Sequence, residues 1–230
     1  MAFMKTEASL ILASGSPRRS FLLSACRINF SVQPSHIEEA YPENLYPWLV
    51  PSYLAQKKSG ASEFINPGDT ILTADTVVLL NNQILNKPAD NTEAVDMLKR
   101  LSGNTHEVIT AVNLRSHNSN RIIECKALVS FNKLDEKEII EYVEKFKPLD
   151  KAGAYGAQEC LPTGYNPCSD LEKIFLKRIG NPQLFEQSTV TSSSSAKPLE
   201  AIKEIKGSYF NVMGLPIHLI YDYLSEFVSE

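Results

Sequence analysis

Residues 10–23 read LILASGSPRRSFLL, and the fold class turns on them. An apolar run from Leu10 to Ala13 enters a turn of small residues and leaves it through Ser16 and Pro17. Serine followed by proline marks a helix start. The serine suits the N-cap, and proline at the first helical position gives up only an N–H that would have no partner there. The stretch therefore reads as strand, tight turn and helix, the unit from which α/β folds are wound. Arg18 and Arg19 fall in the first helical turn, so unpaired backbone N–H groups and two guanidinium groups gather at one opening. Such an opening is built to hold an anion.

Outward from this unit the chain alternates. A second strand is expected near 29–32, and after the acidic loop SHIEEAYPEN a helix near 51–64. DTILTADTVVLL (69–80) is the clearest buried strand, with Asp75 alone in its apolar middle; an Asn-Asn turn and a short QIL strand follow. Asp90 with Glu93 starts a helix that Gly103 closes, and two strands flank a polar turn at 117–120. Asp135 with Glu138 starts another helix, whose Ile139, Ile140 and Val143 are expected to face the core. GSYFNVMGLP (207–216) reads as strand and turn, and a last helix runs on from Pro216. Between Glu159 and Lys203 the rhythm breaks: two proline turns, a mixed DLEKIFLKRIG and the low-complexity STVTSSSSAKP, read as a mobile loop, make this an insertion within one domain.

The chain has 230 residues, 43% of them hydrophobic, and a formal net charge of −4 with pI near 5.7. That length suits a sizeable core. The charge argues against a nucleic-acid coat or a polybasic membrane binder, and favours a small anionic ligand held by a local cluster of Lys and Arg. Cys26, Cys125, Cys160 and Cys168 form no CxxC pair, which fits reduced thiols, although Cys160 and Cys168 would be free to pair in an exported chain. The start lacks a signal-like apolar run and no stretch approaches a membrane span, so a cytoplasmic protein is expected.

Asp75 within TADTVV is costly unless it meets a cation, a metal or hydrogen-bond donors. A salt-bridged structural acid is the plain alternative. Lys87 in NKP, Lys151 in DKAGAYGAQ and the Arg18–Arg19 pair each adjoin a turn or helix start at a strand end, where α/β folds gather ligands. Converging, they suit a polyphosphate, and Glu38, Glu39 and Asp75 offer the oxygen ligands that Mg²⁺ prefers. The small residues of KAGAYGAQ let backbone approach a ligand, and Gln158 carries both donor and acceptor for a base edge. His106, a lone histidine after a glycine cap, is read as structural. No Walker loop, GxGxxG, HExxH or GxSxG is present.

In order, LASGSPRR, IEE, LAQKK, TADTVV, NKP, LSGNTHEVITAV, LDKAGAYGAQ and KGSYFNVMGLP resemble the Maf family of nucleoside triphosphate pyrophosphatases. The resemblance covers 10 to about 159 and resumes near 203, leaving one Maf-like domain over 1–230 with a family-atypical insertion at about 160–202. It implies a mixed twisted sheet with flanking helices, related to inosine-triphosphate pyrophosphatases, with two lobes around a central cleft. It also implies a homodimer, a divalent metal (Mg²⁺, with Mn²⁺ as the alternative), and hydrolysis of a nucleoside triphosphate to monophosphate and pyrophosphate.

Matched by position, the resemblance implies Asp75 as general base or metal-activating carboxylate and Glu39 as its companion at the metal. Ser14, Ser16, Arg18, Arg19, Lys58 and Lys87 fall on the family's substrate-binding signature; Lys151 joins them from its place in DKAGAYGAQ. Arg18, Thr76 and Gln158 are the residues typical of members acting on dTTP and UTP, where the 7-methyl-GTP subgroup typically carries Trp and Glu. Two alternatives remain at this point: a nucleotide-binding regulator of septum formation with little turnover, and a pyrophosphatase for other modified nucleotides. The insertion is taken as neutral decoration, since surface loops lengthen at small cost.

Overall fold

In the computed structural model, which describes residues 9–64, 66, 68–185 and 199–228 with the side chains of 225–228 excepted, the opening unit folds as β1 (Leu10–Leu12) and α1 (Pro17–Ala25). Ser16 occupies the N-cap in extended backbone, but its hydroxyl makes no capping bond. Its N–H instead donates to Ser14 Oγ at 3.3 Å. β2 is only Ser31–Val32, and a 3₁₀ turn at Pro47–Leu49 leads into α2 (Val50–Ala61). β3 (Thr70–Leu80) turns through Asn81 and Asn82, both left-handed with φ of 51° and 62°, into β4 (Gln83–Leu85). Two left-handed residues match the twist of a tight hairpin, and asparagine tolerates that conformation.

α3 (Asn91–Leu101) is capped by Asp90, whose carboxylate accepts from Glu93 N, while Glu93 reaches Ala89 N, one residue before the cap. β5 (Thr105–Arg115) and β6 (Asn120–Phe131) form the long hairpin, and α4 (Glu136–Phe146) starts in a complete capping box of Asp135 and Glu138. Its buried face is Ile139, Tyr142 and Val143. Ile140 was expected inside and is 38% exposed, because one residue is about 100° of helix and carries it off the stripe set by i, i+3 and i+4. The chain ends with α5 (Ala157–Cys160), α6 (Asp170–Arg178), β7 (Ile202–Lys206), α7 (Tyr209–Val212) and α8 (Ile217–Val228).

Two expectations fail in this last part. GSYFNV is not a strand: the strand lies earlier, at β7, and Tyr209–Val212 is helical. A local cap and a tertiary partner together override β propensity here: Ser208 Oγ accepts from Asn211 N three residues on, and the buried Glu172 carboxylate accepts from Tyr209 N and Phe210 N. The segment taken as decoration also belongs to the core. Ser169 and Glu172 close a capping box that starts α6, and Phe175, Leu176 and Phe185 are buried in the main cluster. Burial of each such side chain contributes about 1.5–3 kcal/mol. The low-complexity stretch 188–198 lies outside the described residues.

The sheet runs β2-β1-β3-β5-β6-β7, with β1 parallel to both neighbours and the remaining pairs antiparallel. β5 covers one edge of β3 from Ile71 to Leu79. On the other edge β1 pairs Thr70 to Leu72 and β4 pairs Val78 to Leu80. Between them residues 73–77 have no strand partner on that edge among the described residues. The sheet is thus split at the middle of β3, and Asp75 and Thr76 stand in the split. The period of two sends them to opposite faces. Val77 and Leu79 pack with Val50 and Leu54 of α2 in a small cluster, whereas Leu72, Ala74, Val78 and Leu80 join the large core. Asp75 thereby faces α2 and Thr76 faces the side of α7.

Candidate active site

A cavity of about 570 Å³ opens at this split, and the eleven residues matched to substrate or metal line it, whereas Glu38, offered from the sequence as a further oxygen ligand, is not among its lining residues. The volume falls within the range of small-molecule sites. α2 supplies the first constellation. Thr73 Oγ1 donates to Ala55 O at 2.6 Å and fixes α2 against β3. One turn on, Lys58 Nζ donates to Asp75 Oδ1 at 2.6 Å and pairs with Glu39 Oε1 at 2.7 Å. Lys87, from the loop after β4, pairs with Glu39 Oε2 at 3.1 Å. Lys57 Nζ, the next side chain on α2, donates to the carbonyls of Glu38 and Ala40, at 2.9 Å each. The loop bearing Glu39 is therefore held through its backbone on both sides and through its carboxylate.

The two acids differ because their surroundings differ. Burial raises the Asp75 carboxyl above its ordinary value, and Lys58 and Arg19 pull it only part of the way back. Burial pushes Glu39 upward as well, but that residue is half open to solvent and the Lys58 and Lys87 ammonium groups hold it down to about 2. One member of the pair is thus a firm anion and the other a carboxylate that takes a proton more readily.

The second constellation surrounds Arg19. Its Nε donates to Gly214 O at 2.9 Å, Nη1 to Ser14 Oγ at 2.9 Å and Nη2 to Thr76 Oγ1 at 3.4 Å. Burial lowers its pKa, with the charge of Asp75 opposing, and a guanidinium stays protonated under such a shift. Arg18 and Lys151 share Asp150, at 3.5 Å and 2.9 Å, and Lys151 also stands 3.7 Å from Glu159. Ser16 and Gln158 line the cavity from the opening turn and from α5. His106 is not among the lining residues: its Nε2 and Tyr155 Oη are 2.8 Å apart in the core, and burial depresses it to about 4.

Several contributors escaped the sequence reading. Gly214 has φ of +99°, and a side chain there would come within 3.3 Å of Thr76 Oγ1 and 3.7 Å of Arg19 Nε. Asp150, Thr110 and Lys57 organise residues that were named, yet each looks like an ordinary polar residue in sequence. The signal for Gly214 was present in the Met-Gly-Leu-Pro turn, but nothing local ties that turn to an arginine 195 positions away.

Comparison with known families matches residues 9–163 to the family described as Maf-like protein. The chain belongs to the Maf family. Among curated members, the dTTP/UTP pyrophosphatase of Porphyromonas gingivalis is 37% identical over 222 residues, covering 95% of this chain and 94% of that protein. The protein of the same name from Bacteroides thetaiotaomicron is 36% identical over 219 residues, covering 94% and 95%. That from Cytophaga hutchinsonii is 37% identical over 220 residues, covering 96% and 84%. The Maf match ends before α6, so α6, β7, α7 and α8 lie beyond it.

Proposed function

We propose that this Maf protein hydrolyses nucleoside triphosphates, dTTP and UTP in particular, to the monophosphate and pyrophosphate. The observation that carries the reading is the burial of Asp75, beside Lys58 and Arg19, in a cavity lined by five cationic side chains: Arg18, Arg19, Lys58, Lys87 and Lys151. The names of the curated relatives agree with it. Attack of water on the α-phosphorus needs a base at the water and charge neutralised along the phosphates. Lys58 engages Asp75 Oδ1, which leaves Oδ2 to take the proton as the water oxygen bonds to phosphorus. The bond from the α-phosphorus to the bridging oxygen breaks, and pyrophosphate leaves with the electron pair. Burial makes Asp75 a stronger base than a solvated carboxylate, and the Lys58 charge beside it opposes that rise. Arg18, Arg19, Lys87 and Lys151 are placed to neutralise phosphate oxygens, and Gln158 to pair with the donor and acceptor edge of a pyrimidine.

The acids fit a divalent cation brought in with substrate. Among the described residues no group of three or more His, Cys, Asp and Glu gathers, but Mg²⁺ is commonly held by one or two carboxylates together with substrate phosphates. Asp75 and Glu39 would be that pair, for Mg²⁺ or Mn²⁺, and the ion when bound would add positive charge at the phosphate oxygens. A homodimer completes the reading on the strength of the family resemblance, and a cytoplasmic location on the cysteine pattern, which fits reduced thiols; no helix among the described residues is long and apolar enough to cross a membrane.

The test is pyrophosphate release from a panel of nucleoside triphosphates with Mg²⁺, run on the wild type and Asp75→Asn. The expected result is preference for dTTP and UTP, and a loss of about 10²–10⁴-fold in Asp75→Asn, the range of a general base, with UTP still bound by calorimetry. A wild type inert across the panel, or a fully active Asp75→Asn, overturns the reading.

A further inference from the structure

Glu172 lies on α6, beyond the Maf match, and is fully buried. Its carboxylate accepts five hydrogen bonds. Oε2 takes Ser169 N and Ser169 Oγ, each at 2.8 Å, and Tyr209 N at 3.2 Å. Oε1 takes Ser208 Oγ at 2.7 Å and Phe210 N at 2.8 Å. The first two bonds close the cap of α6 itself. The other three reach a different element, the start of α7. A buried carboxylate persists only with such donors, and it fixes them in return.

From α7 the hydrogen bonds run on to the cavity. Asn211 Oδ1 accepts from Thr110 N at 3.0 Å, Asn211 Nδ2 donates to Val108 O at 2.9 Å, and Asn211 O accepts from Thr110 Oγ1 at 2.9 Å. Thr110 Oγ1 has a single hydrogen and gives it to Asn211 O, so in its 2.9 Å contact with Thr76 Oγ1 it accepts. Thr76 Oγ1 has then given its own hydrogen and meets Arg19 Nη2 as an acceptor. Gly214, two residues past α7, receives Arg19 Nε. Two of the three hydrogen bonds that hold Arg19 thus depend on where α7 sits.

We infer that Glu172 is a positioning residue for Arg19: by anchoring α7 it holds that guanidinium at the place where the proposed function needs it for phosphate. The inference rests on that function for the identity of the substrate. It gives the α6 segment, which lies beyond the family match at residues 9–163, a part in the site.

The test is a double-mutant cycle of Glu172→Gln with Arg19→Lys, read as KM and kcat for UTP beside a melting curve. Glu172→Gln keeps the shape of the side chain but replaces an acceptor oxygen with a donor. The expected result is a folded protein whose KM rises about tenfold with kcat within about twofold, the scale of one displaced charged hydrogen bond. In the Arg19→Lys background the same change should cost less than about twofold, because residues acting through one contact are not additive. Ser208→Ala, which removes one donor to Glu172 together with the acceptor that caps Asn211 N, loosens the same anchor of α7 and should move KM the same way by at least about threefold, and it carries the cycle if Glu172→Gln does not fold. An unchanged KM in folded Glu172→Gln, or an equal effect in both backgrounds, overturns the inference. Calorimetric affinity for inorganic tripolyphosphate should follow the same pattern. It needs no turnover, so a wild type that binds tripolyphosphate but hydrolyses no nucleotide refutes the proposed function while still deciding Glu172.

Discussion

Replacing Lys58 with methionine tests the electrostatics of the site directly. The Lys58 ammonium lies 2.6 Å from Asp75 Oδ1 and 2.7 Å from Glu39 Oε1. Both Lys58 and Asp75 side chains are about a tenth exposed, at 11% and 9%, so solvent screens the pair weakly. An opposite charge at this range lowers a carboxylate pKa by about 1–3 units. Lys58→Met should therefore raise Asp75 further, moving the acid limb of the kcat/KM profile to higher pH by about 1–3 units. At 1.4 kcal/mol per unit that is up to about 4 kcal/mol of lost preference for the ionised base. Stability should respond in a defined direction. A carboxyl whose folded pKa exceeds its unfolded value makes the fold lose stability as pH rises from the unfolded value through the folded one. The melting temperature of Lys58→Met relative to wild type should accordingly be lower at pH 8 than at pH 5.5. Pyrophosphate release from UTP across pH and paired thermal melts make the measurement, with Lys58→Arg expected to keep most of the wild-type profile. An acid limb that stays in place, or moves down, in a folded Lys58→Met would refute the account of Asp75.

Two further outcomes follow from the same geometry. Glu39→Gln removes one of the two proposed metal carboxylates, so the Mg²⁺ concentration giving half activity should rise at least about tenfold, the size seen even for outer partners of a metal site; the depressed Glu39 pKa also means that its contribution to stability is present above pH 4.5 and lost toward pH 2, so wild-type and Glu39→Gln melts should converge in acid. Gly214→Ala places a methyl group at φ +99° against Thr76 and Arg19, and should cost about 1–3 kcal/mol of stability, with a raised KM for UTP, checked by denaturant titration and steady-state kinetics.

Much of the fold was legible because its signals are local. Ser16-Pro17, Asp90 with Glu93 and Asp135 with Glu138 each mark a helix start through side chains a few residues apart, and the helices begin there. One error lies where a distant group decides, and another where the helical period decides residue by residue. GSYFNV has the composition of a strand, and it is helical because a carboxylate 37 positions earlier takes Tyr209 N. Ile140 looked like core in a list of apolar residues, and helical geometry put Tyr142 there instead.

The same division holds for the site. By itself the sequence determined which chemistry-bearing groups exist and where each stands locally: the acid Asp75 in the middle of an apolar run, and the paired arginines behind a small-residue turn and the lysines of NKP and DKAGAYGAQ beside turns or helix starts. These are readable because burial cost and capping depend on near neighbours in the chain. Only the tertiary structure decided that β1 and β4 leave residues 73–77 open on one edge of β3, that Lys58 lies between Asp75 and Glu39, and that α7 carries the carbonyl receiving Arg19. Strand pairing, the parity that sends Asp75 and Thr76 to opposite faces, and the contact of side chains far apart in sequence are properties of packing, and no window of adjacent residues contains them.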